Sequence, residues 1–422
     1  MSDNRMDKIS AESAATGAAA ATQKIATLAD IRGLTVSEEQ IRAHVIRPAH
    51  VEGIHSSKGL EEGITDFKLK FPAGPAYHFD VNAFGQQLHA ALKSQVAGYV
   101  MRLRQHGNTI YTLQWNWAKG PSDGSEGWNP DVRMHIASVS KLITAMAMTR
   151  VLNDKKMSYD TPIINWLPHY WAKGPNIDKI TFRNLMTHTS GFNTGKSDSD
   201  FNFMKGHVAA GVTGVGTYHY QNMNFGLCRI LLSTITGVLS TNAVFNIPFL
   251  SNFNDLVWDF TTINGYSAYV NAHVFAPAGV SGPSLDHPNP DALAYNFPVN
   301  GNGWNSGNLA SMSGGAGWHA SVDDLLNVMG TFRRGGSIMS TTQAQLMLDD
   351  SFGIDLTQTT PLGKLYNKNG LWQDGSAHVE QSLAYFLPQE MEMVVLANSP
   401  IGAPAQFFRD VVTNVYLANI KS

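Results

Sequence analysis

A serine and a lysine stand at the start of a nearly continuous apolar segment. Ser138 and Lys141 are three residues apart near the beginning of HIASVSKLITAMAMTRVL, residues 135–152. If this segment is a helix, both side chains lie on one side of its first turn. The backbone N–H groups and positive potential at that end could stabilise an alkoxide or an oxyanion. The spacing fits a nucleophilic serine with an amine partner, and it equally fits a capping serine with a lysine that extends to water.

Two later groups of polar residues favour the catalytic interpretation. Tyr220 and Asn222 come directly before an apolar segment that ends at Gly237. Lys368 and Gly370 enclose one residue in YNKNGLWQ, which has the pattern of a late strand. The chain therefore contains a Ser-x-x-Lys, a Tyr-x-Asn and a Lys-x-Gly motif in this order.

This ordered set resembles the motifs of the penicillin-recognising serine hydrolases. The Tyr-x-Asn form resembles the class C β-lactamase-like family, which also contains D-amino-acid peptidases and carboxylesterases, whereas a Ser-Asp-Asn element is typical of class A enzymes. The segments ITFRNLMTHTSGF, SGGAGWHASVDDLLNVM and VVLANS resemble further stretches of the same family. The resemblance covers roughly residues 85–420.

The resemblance implies a role for each residue. Ser138 would be the nucleophile, and Tyr220, held by Lys141, would act as general base and acid, since nearby ammonium groups lower the pKa of a phenol. Lys368 would tune the potential and hold a substrate carboxylate or carbonyl. The N–H groups of Ser138 and Leu371 would form the oxyanion hole. Asn222 would hydrogen-bond the substrate amide or orient Lys141, and the other residues expected to bind substrate are Asn369, Gly370, Leu371 and Trp372. No cofactor and no metal are implied.

Two features bear on the substrate. Asn369 stands where β-lactamases usually carry Thr, and residues 245–260 hold five aromatic residues in what looks like an insertion. These aromatic residues could form an apolar lid or pocket, or they could extend the core. We favour a carboxylesterase, or a hydrolase of small amides, over a β-lactamase or a D-amino-acid peptidase. The alternative of another class is a homologue that binds ligands without turnover.

Other chemistry finds little support in the sequence. No Gly-x-Ser-x-Gly or His-Glu-x-x-His motif occurs. A second Tyr-x-Asn, Tyr269 and Asn271, lies in a predicted helix interior. His188 is interpreted as a packed structural histidine, and Cys228 as a buried thiol.

The elements that must position the motifs can be predicted in outline. A helix is expected in DVNAFGQQLHAALKSQ, residues 80–95, followed by a hairpin at His106-Gly107-Asn108, where Gly107 or Asn108 supplies a positive φ. Three late strands and a closing helix end the chain, with a turn at 388–390. The predicted fold is α/β (α+β) and β-lactamase/transpeptidase-like, an antiparallel sheet flanked by helices plus a helical lobe at about 150–310. Residues 1–80 are predicted to be an N-terminal extension, and 81–422 the hydrolase domain.

Composition limits the partners. The net charge is −3 and only 15% of residues are charged, so nucleic acid and anionic membranes are not expected partners. The single cysteine and the lack of a visible signal peptide predict a cytoplasmic protein. A small-molecule ester or amide is the expected partner, and the oligomeric state is left open.

Overall fold

The computed structural model describes residues 77–195, 197–245, 252–287, 291–374, 377–402 and 407–422. Its strands are β1 (His78–Phe79), β2 (Gly98–Gln105), β3 (Asn108–Lys119), β4 (Glu126–Gly127), β5 (Met134–His135), β6 (His319–Ala320), β7 (Leu356–Thr360), β8 (Gly363–Gln373), β9 (Val379–Leu387), β10 (Met391–Ala397) and β11 (Ile420–Lys421). Its α-helices are α1 (Val81–Leu92), α2 (Ser140–Asp154), α3 (Phe182–Met186), α4 (Phe201–Ala210), α5 (Asn222–Ile235), α6 (Phe253–Val270), α7 (Val322–Gly330), α8 (Thr341–Asp349) and α9 (Phe408–Ala418).

One antiparallel sheet of seven strands organises the molecule. Its order is β4-β3-β2-β10-β9-β8-β7, so strands from both ends of the domain meet at its centre. There β2 pairs with β10, with Val100 opposite Leu396. Helices cover both faces. The predicted α/β (α+β) fold, with an antiparallel sheet built from the two ends and flanked by helices, is confirmed.

Successive side chains of a strand point to opposite faces of the sheet. On the central strands, the side chains of both faces are buried, each set in its own core. Val394 and Leu396 of β10 join the larger core, which continues into the helices between β5 and β7. Met393 and Val395 join the smaller core beneath α1 and α9. The sheet is thus a middle layer between the two cores, and β8 near its edge carries the Lys-x-Gly motif.

The hairpin between β2 and β3 forms where the sequence predicts it, and His106 shares the positive φ with Gly107. His106 and Gly107 have the positive φ values, +50° and +84°, whereas Asn108 is the first residue of β3. The prediction that Gly107 or Asn108 supplies a positive φ is confirmed, and the residue is Gly107. The His106 ring Nδ1 lies 2.9 Å from Glu390 Oε2 in the β9–β10 turn, so the two turns contact each other.

Helices α3 to α6 form the helical lobe, and α2 lies between the lobe and the sheet. Twelve of the fifteen residues of α2 are buried, in agreement with the prediction from its apolar pattern. Of the aromatic residues in 245–260, Phe253 and Trp258 belong to the lobe core, whereas Phe260 is exposed. Phe249 lies outside the described residues. Among the described residues, this segment mainly extends the core.

Two further predictions concern the chain as a whole. Cys228 is buried in α5. In the described parts of the chain, no helix has both the length and the apolar character needed to cross a bilayer. The proposed extension, residues 1–80, falls almost wholly outside the described residues, so its boundary stays a prediction.

Candidate active site

Ser138 lies on a tight turn directly before α2. Residues Ala137–Val139 form a single 3-10 turn, closed by a hydrogen bond from Val139 N to Ile136 O of 3.0 Å, and the α-helix begins only at Ser140. Ala137 has φ +47°, a region that non-glycine residues seldom adopt. The prediction that Ser138 stands in the first α-helical turn is therefore wrong by two residues. The turn leaves the Ser138 side chain half-buried beside the N-terminus of α2.

The Lys141 ammonium joins three segments of the chain. Its Nζ donates hydrogen bonds to Ser138 Oγ at 2.8 Å, to Asn222 Oδ1 at 2.6 Å and to the backbone oxygen of Gly315 at 2.6 Å. The side chain is fully buried. Three acceptors match the three protons of an ammonium group. Lys141 therefore does not extend to water, and its hydrogen bonds fix it against the serine.

Tyr220 approaches the same serine from the helical lobe. Its hydroxyl lies 2.7 Å from Ser138 Oγ, to which it donates a hydrogen bond. Asn222, two residues later, is the first residue of α5 and is buried, so its side chain faces Lys141 rather than solvent. The Tyr-x-Asn spacing thus places the tyrosine on the nucleophile and the asparagine on the amine.

Lys368 enters from β8. Its Nζ lies 5.0 Å from the centre of the Tyr220 ring, the same distance as Lys141 Nζ. The Lys368 ammonium is fully buried and donates to Asp355 Oδ1 at 2.7 Å. The structure therefore brings Ser138, Lys141, Tyr220 and Lys368 together, as the sequence predicts, and adds a carboxylate.

The charges in this cluster shift the pKa values of its members. Burial would raise the pKa of the Tyr220 phenol, but the ammonium groups of Lys141 and Lys368 outweigh it and hold that pKa below its usual value. Burial lowers the pKa of Lys141, and Lys368 lowers it further, against an opposing effect of Tyr220. Burial also acts to lower the pKa of Lys368, but Tyr220 and Asp355 raise it above the usual value. The phenol and the first amine are thus both easier to deprotonate than in water.

Strand β8 passes close to the serine turn. A Cβ at Gly370 would lie 2.5 Å from Ile136 O and 3.0 Å from Ser138 N. Ser382 of the neighbouring β9 donates a hydrogen bond to the same Ile136 oxygen at 2.6 Å. The turn that carries Ser138 is therefore held against the sheet by backbone contacts that leave no room for a side chain at Gly370.

We expect Gly370→Ala to lower the free energy of unfolding by about 1–3 kcal/mol, because overpacking forces the backbone to move. The new methyl group would also lie 2.4 Å from Ser382 Oγ. The midpoint of urea unfolding measures the loss. Gly206→Ala is the matched control, since a Cβ in this helical position meets nothing within 4 Å. An unfolding midpoint for Gly370→Ala as high as that of the control would contradict the packing described here.

A comparison with known families agrees with this geometry. A family model described as β-lactamase matches residues 81–412. The chain belongs to the β-lactamase family. The class C β-lactamase from Rhodobacter sphaeroides shares the fold, with a TM-score of 0.56 at 16% identity over 80% of this chain and 99% of that one. The resemblance to this family that the three motifs indicate is confirmed.

Curated relatives of this serine hydrolase family match about a third of the chain. The putative penicillin-binding protein PbpX from Bacillus subtilis is 24% identical over 159 residues, 36% of this chain and 33% of PbpX. The esterase EstB from Burkholderia gladioli is 27% identical over 125 residues, 28% of this chain and 31% of EstB. The chain thus spans about a third of the length of these relatives.

The remaining predicted residues of the β-lactamase-like site follow Lys368 along β8. Asn369 is partly buried, and its backbone N–H donates to Asp355 Oδ2 at 3.1 Å. The Leu371 side chain is exposed. It carries no hydrogen-bond donor, so the predicted contribution to the oxyanion hole would come from the backbone N–H. The Trp372 ring meets the His135 ring edge-on at 5.3 Å and forms a wall beside the strand.

Sequence reasoning missed three contributors to the site. Asp355 binds Lys368, Gly315 supplies a backbone oxygen to Lys141, and Ser382 anchors the serine turn. None belongs to the three motifs. Gly315 lies in SGGAG, within one of the further stretches that resemble the family, but the sequence predicts no role for it.

The three residues set aside from catalysis, Tyr269, Asn271 and His188, lie as expected. Tyr269 is in α6 and Asn271 in the π-helical turn that continues it, Asn271–Phe275. His188 is buried, and its ring stacks on the Tyr220 ring at 4.3 Å. Burial, with Lys368 and Lys141 nearby, lowers the pKa of His188 well below its usual value, so the ring is neutral and packs as a wall behind Tyr220.

Proposed function

We propose that this protein is a serine hydrolase that acts through an acyl-enzyme on esters or amides, and that its activity is that of a carboxylesterase. The observation that carries the proposal is the position of Ser138 Oγ, which lies 2.8 Å from Lys141 Nζ and 2.7 Å from Tyr220 Oη. A hydroxyl in contact with a phenol that can accept its proton as phenolate, and with an ammonium group that favours the phenolate, is suited to nucleophilic catalysis.

The reaction follows from these contacts. Tyr220, as phenolate, takes the proton of Ser138 while Oγ attacks the substrate carbonyl. The N–H groups of Ser138 and Leu371 stabilise the resulting oxyanion. Tyr220 then gives its proton to the leaving alcohol or amine, and the acyl-serine remains. In the second half, Tyr220 takes a proton from water, the hydroxyl attacks the acyl group, and the proton returns to Ser138.

Two features support an ester rather than a β-lactam or a D-alanyl peptide. Asn369 replaces the Thr that is usual in β-lactamases, and the Lys368 ammonium is already bound to Asp355. The partial similarity to EstB favours the same substrate class. The similarity to PbpX keeps a β-lactamase or D-amino-acid peptidase as the second candidate.

A substrate panel tests the choice. We expect kcat/KM for a short-chain p-nitrophenyl ester to exceed that for nitrocefin and for a D-alanyl-D-alanine peptide by at least about a hundredfold, an activation difference of about 2.7 kcal/mol. Faster turnover of nitrocefin or of the peptide would replace the carboxylesterase assignment with the second candidate.

A labelling experiment tests whether the protein is an enzyme at all. We expect a fluorophosphonate probe to form one adduct, on the peptide that carries Ser138, as read by mass spectrometry. The alternative, a homologue that binds ligands without turnover, predicts no adduct on this peptide and no turnover of any member of the panel.

We also infer a cytoplasmic location and a small-molecule partner. The only cysteine of the chain, Cys228, is buried, and burial raises the pKa of its thiol. A chain with one cysteine has no internal disulfide to gain from an oxidising compartment. The low net charge supports neither nucleic acid nor an anionic membrane as a partner.

A further inference from the structure

The lysine of the Lys-x-Gly motif, Lys368, is bound by a carboxylate of the protein itself, that of Asp355. Asp355 Oδ1 accepts a hydrogen bond from Lys368 Nζ at 2.7 Å, and its Oδ2 accepts one from the Asn369 backbone N–H at 3.1 Å. The Lys368 side chain is fully buried and that of Asp355 is 11% exposed. Both carboxylate oxygens are therefore bound to the same strand.

Backbone contacts on both sides of Asp355 fix the position of its carboxylate. Gly353, with φ +70°, lies so close to α2 that a Cβ there would be 3.0 Å from Lys141 O and from Ala145 Cβ. The Asp355 N–H donates to Asn367 O at 2.8 Å, just before β7 begins to pair with β8. The carboxylate is thus fixed by strand pairing on one side and by helix contact on the other.

The charge of Asp355 reaches the open side of the cluster. Tyr218, two residues before Tyr220, is 58% exposed. Partial burial raises the pKa of Tyr218, and Asp355 is the largest charge that raises it further. Asp355 also acts on Tyr220 and Lys141. A group bound beside Lys368 therefore meets a negative charge as well as a positive one.

The sequence predicts that Lys368 can hold a substrate carboxylate, but the geometry removes most of the reason for a carboxylate to bind there. A buried ammonium that is paired with a carboxylate attracts a second anion weakly, and two carboxylates near one ammonium repel each other. Neutral groups meet no such repulsion and can still accept a hydrogen bond from the strand.

We propose that Asp355 is a specificity-determining residue that directs the site to esters and amides whose leaving group carries no carboxylate. The proposal rests on the proposed function and narrows it to neutral substrates. Asp355 acts through Lys368, whose charge it neutralises, and by direct repulsion of an anionic leaving group.

The experiment compares two esters that form the same acyl-enzyme. The leaving group of 3-butanoyloxybenzoate carries a carboxylate, and that of 3-butanoyloxybenzamide carries a neutral amide of similar shape. We expect the wild-type protein to favour the benzamide in kcat/KM by at least about tenfold after correction for hydroxide-catalysed hydrolysis, which corresponds to about 1.4 kcal/mol. Equal rates, or a preference for the benzoate, overturn the inference.

Two variants locate the effect. Asp355→Asn should reduce the preference by about tenfold, because Lys368 then carries an uncompensated charge. Asp178→Asn makes the same charge change on an exposed residue of the 3-10 turn Ile177–Lys179 and should leave the preference unchanged. An unchanged preference in folded Asp355→Asn, judged by circular dichroism, overturns the inference.

A measurement on the wild-type protein covers the case in which Asp355→Asn does not fold. Boronic acids form adducts with nucleophilic serines and can therefore probe this site as inhibitors. Because Asp355 disfavours a second carboxylate, 3-carbamoylphenylboronic acid should inhibit at least about tenfold more strongly than 3-carboxyphenylboronic acid. The reverse order, or equal inhibition, overturns the inference and leaves the hydrolase intact. Hydrolysis of neither ester, without fluorophosphonate labelling of Ser138, overturns the proposed function and this inference with it.

Discussion

Ser138→Ala is expected to lower kcat/KM for a p-nitrophenyl ester by at least about a thousandfold, because the substitution removes the atom that forms the acyl-enzyme. The side chain is half-buried and accepts hydrogen bonds from Lys141 and Tyr220, so its loss leaves an ammonium and a phenol with one partner fewer. The fold should persist, because the backbone of the serine turn is fixed by Ser382 and Val139 rather than by Ser138 Oγ.

Ser140→Ala is the matched control two residues along the chain. Its Oγ accepts a hydrogen bond from Trp318 N at 3.3 Å and is fully buried, so its loss should lower the free energy of unfolding by about 1 kcal/mol and leave fluorophosphonate labelling of Ser138 in place. Steady-state kinetics and intact-protein mass spectrometry read both variants. If the esterase rate of Ser138→Ala equalled that of the control, Ser138 could not be the residue that forms the acyl-enzyme.

The sequence was sufficient for the parts of the site that belong to motifs. The strand patterns at both ends of the chain predict an antiparallel sheet with Lys368 on one of its late strands, and the order of the three motifs indicates the family. Once the fold is known, Ser138, Lys141 and Tyr220 must meet, because each stands at the end of an element that contacts the others. The family resemblance that the motifs carry implies this meeting, and the motifs themselves can be read directly from the sequence.

The missed features depend on contacts that no local pattern encodes. Asp355 lies thirteen residues before Lys368 and reaches it only because β7 pairs with β8 in one particular register. Gly315 acts through its backbone oxygen, which every residue type possesses. Ala137 adopts φ +47°, although alanine favours a helix, because the packing of the turn against β8 outweighs its local preference.

Tyr220→Phe is expected to lower kcat/KM by about a hundredfold to ten-thousandfold, the usual contribution of a general base. The hydroxyl lies 2.7 Å from Ser138 Oγ, and it is the only atom that the substitution removes. The ring should keep its stacking on His188 and its position between the two ammonium groups. Stability should therefore change little, and a chemical-denaturation curve checks this.

The pH profile separates Tyr220 from Lys141 as the base. A base acts only when deprotonated, so the wild-type rate should rise with pH through a pKa below that of free tyrosine, about 10. Lys368→Gln should move this rise to higher pH, because it removes an ammonium that lowers the pKa of Tyr220 and leaves Asp355, which raises it. The direction of this shift depends only on the sign of the charges.

If Lys141 were the base, Tyr220→Phe would give the opposite signature. Tyr220 raises the pKa of Lys141, so its loss would move the rise in rate to lower pH while most of the activity remained. If Tyr220→Phe instead loses most of its rate and shows no rise in rate at lower pH, the result supports the Tyr220 phenolate as the base. The group that takes the proton from Ser138 is then missing. The result would also assign the three hydrogen bonds of Lys141, to Ser138, Asn222 and Gly315, to the protonated amine whose charge makes the phenolate accessible.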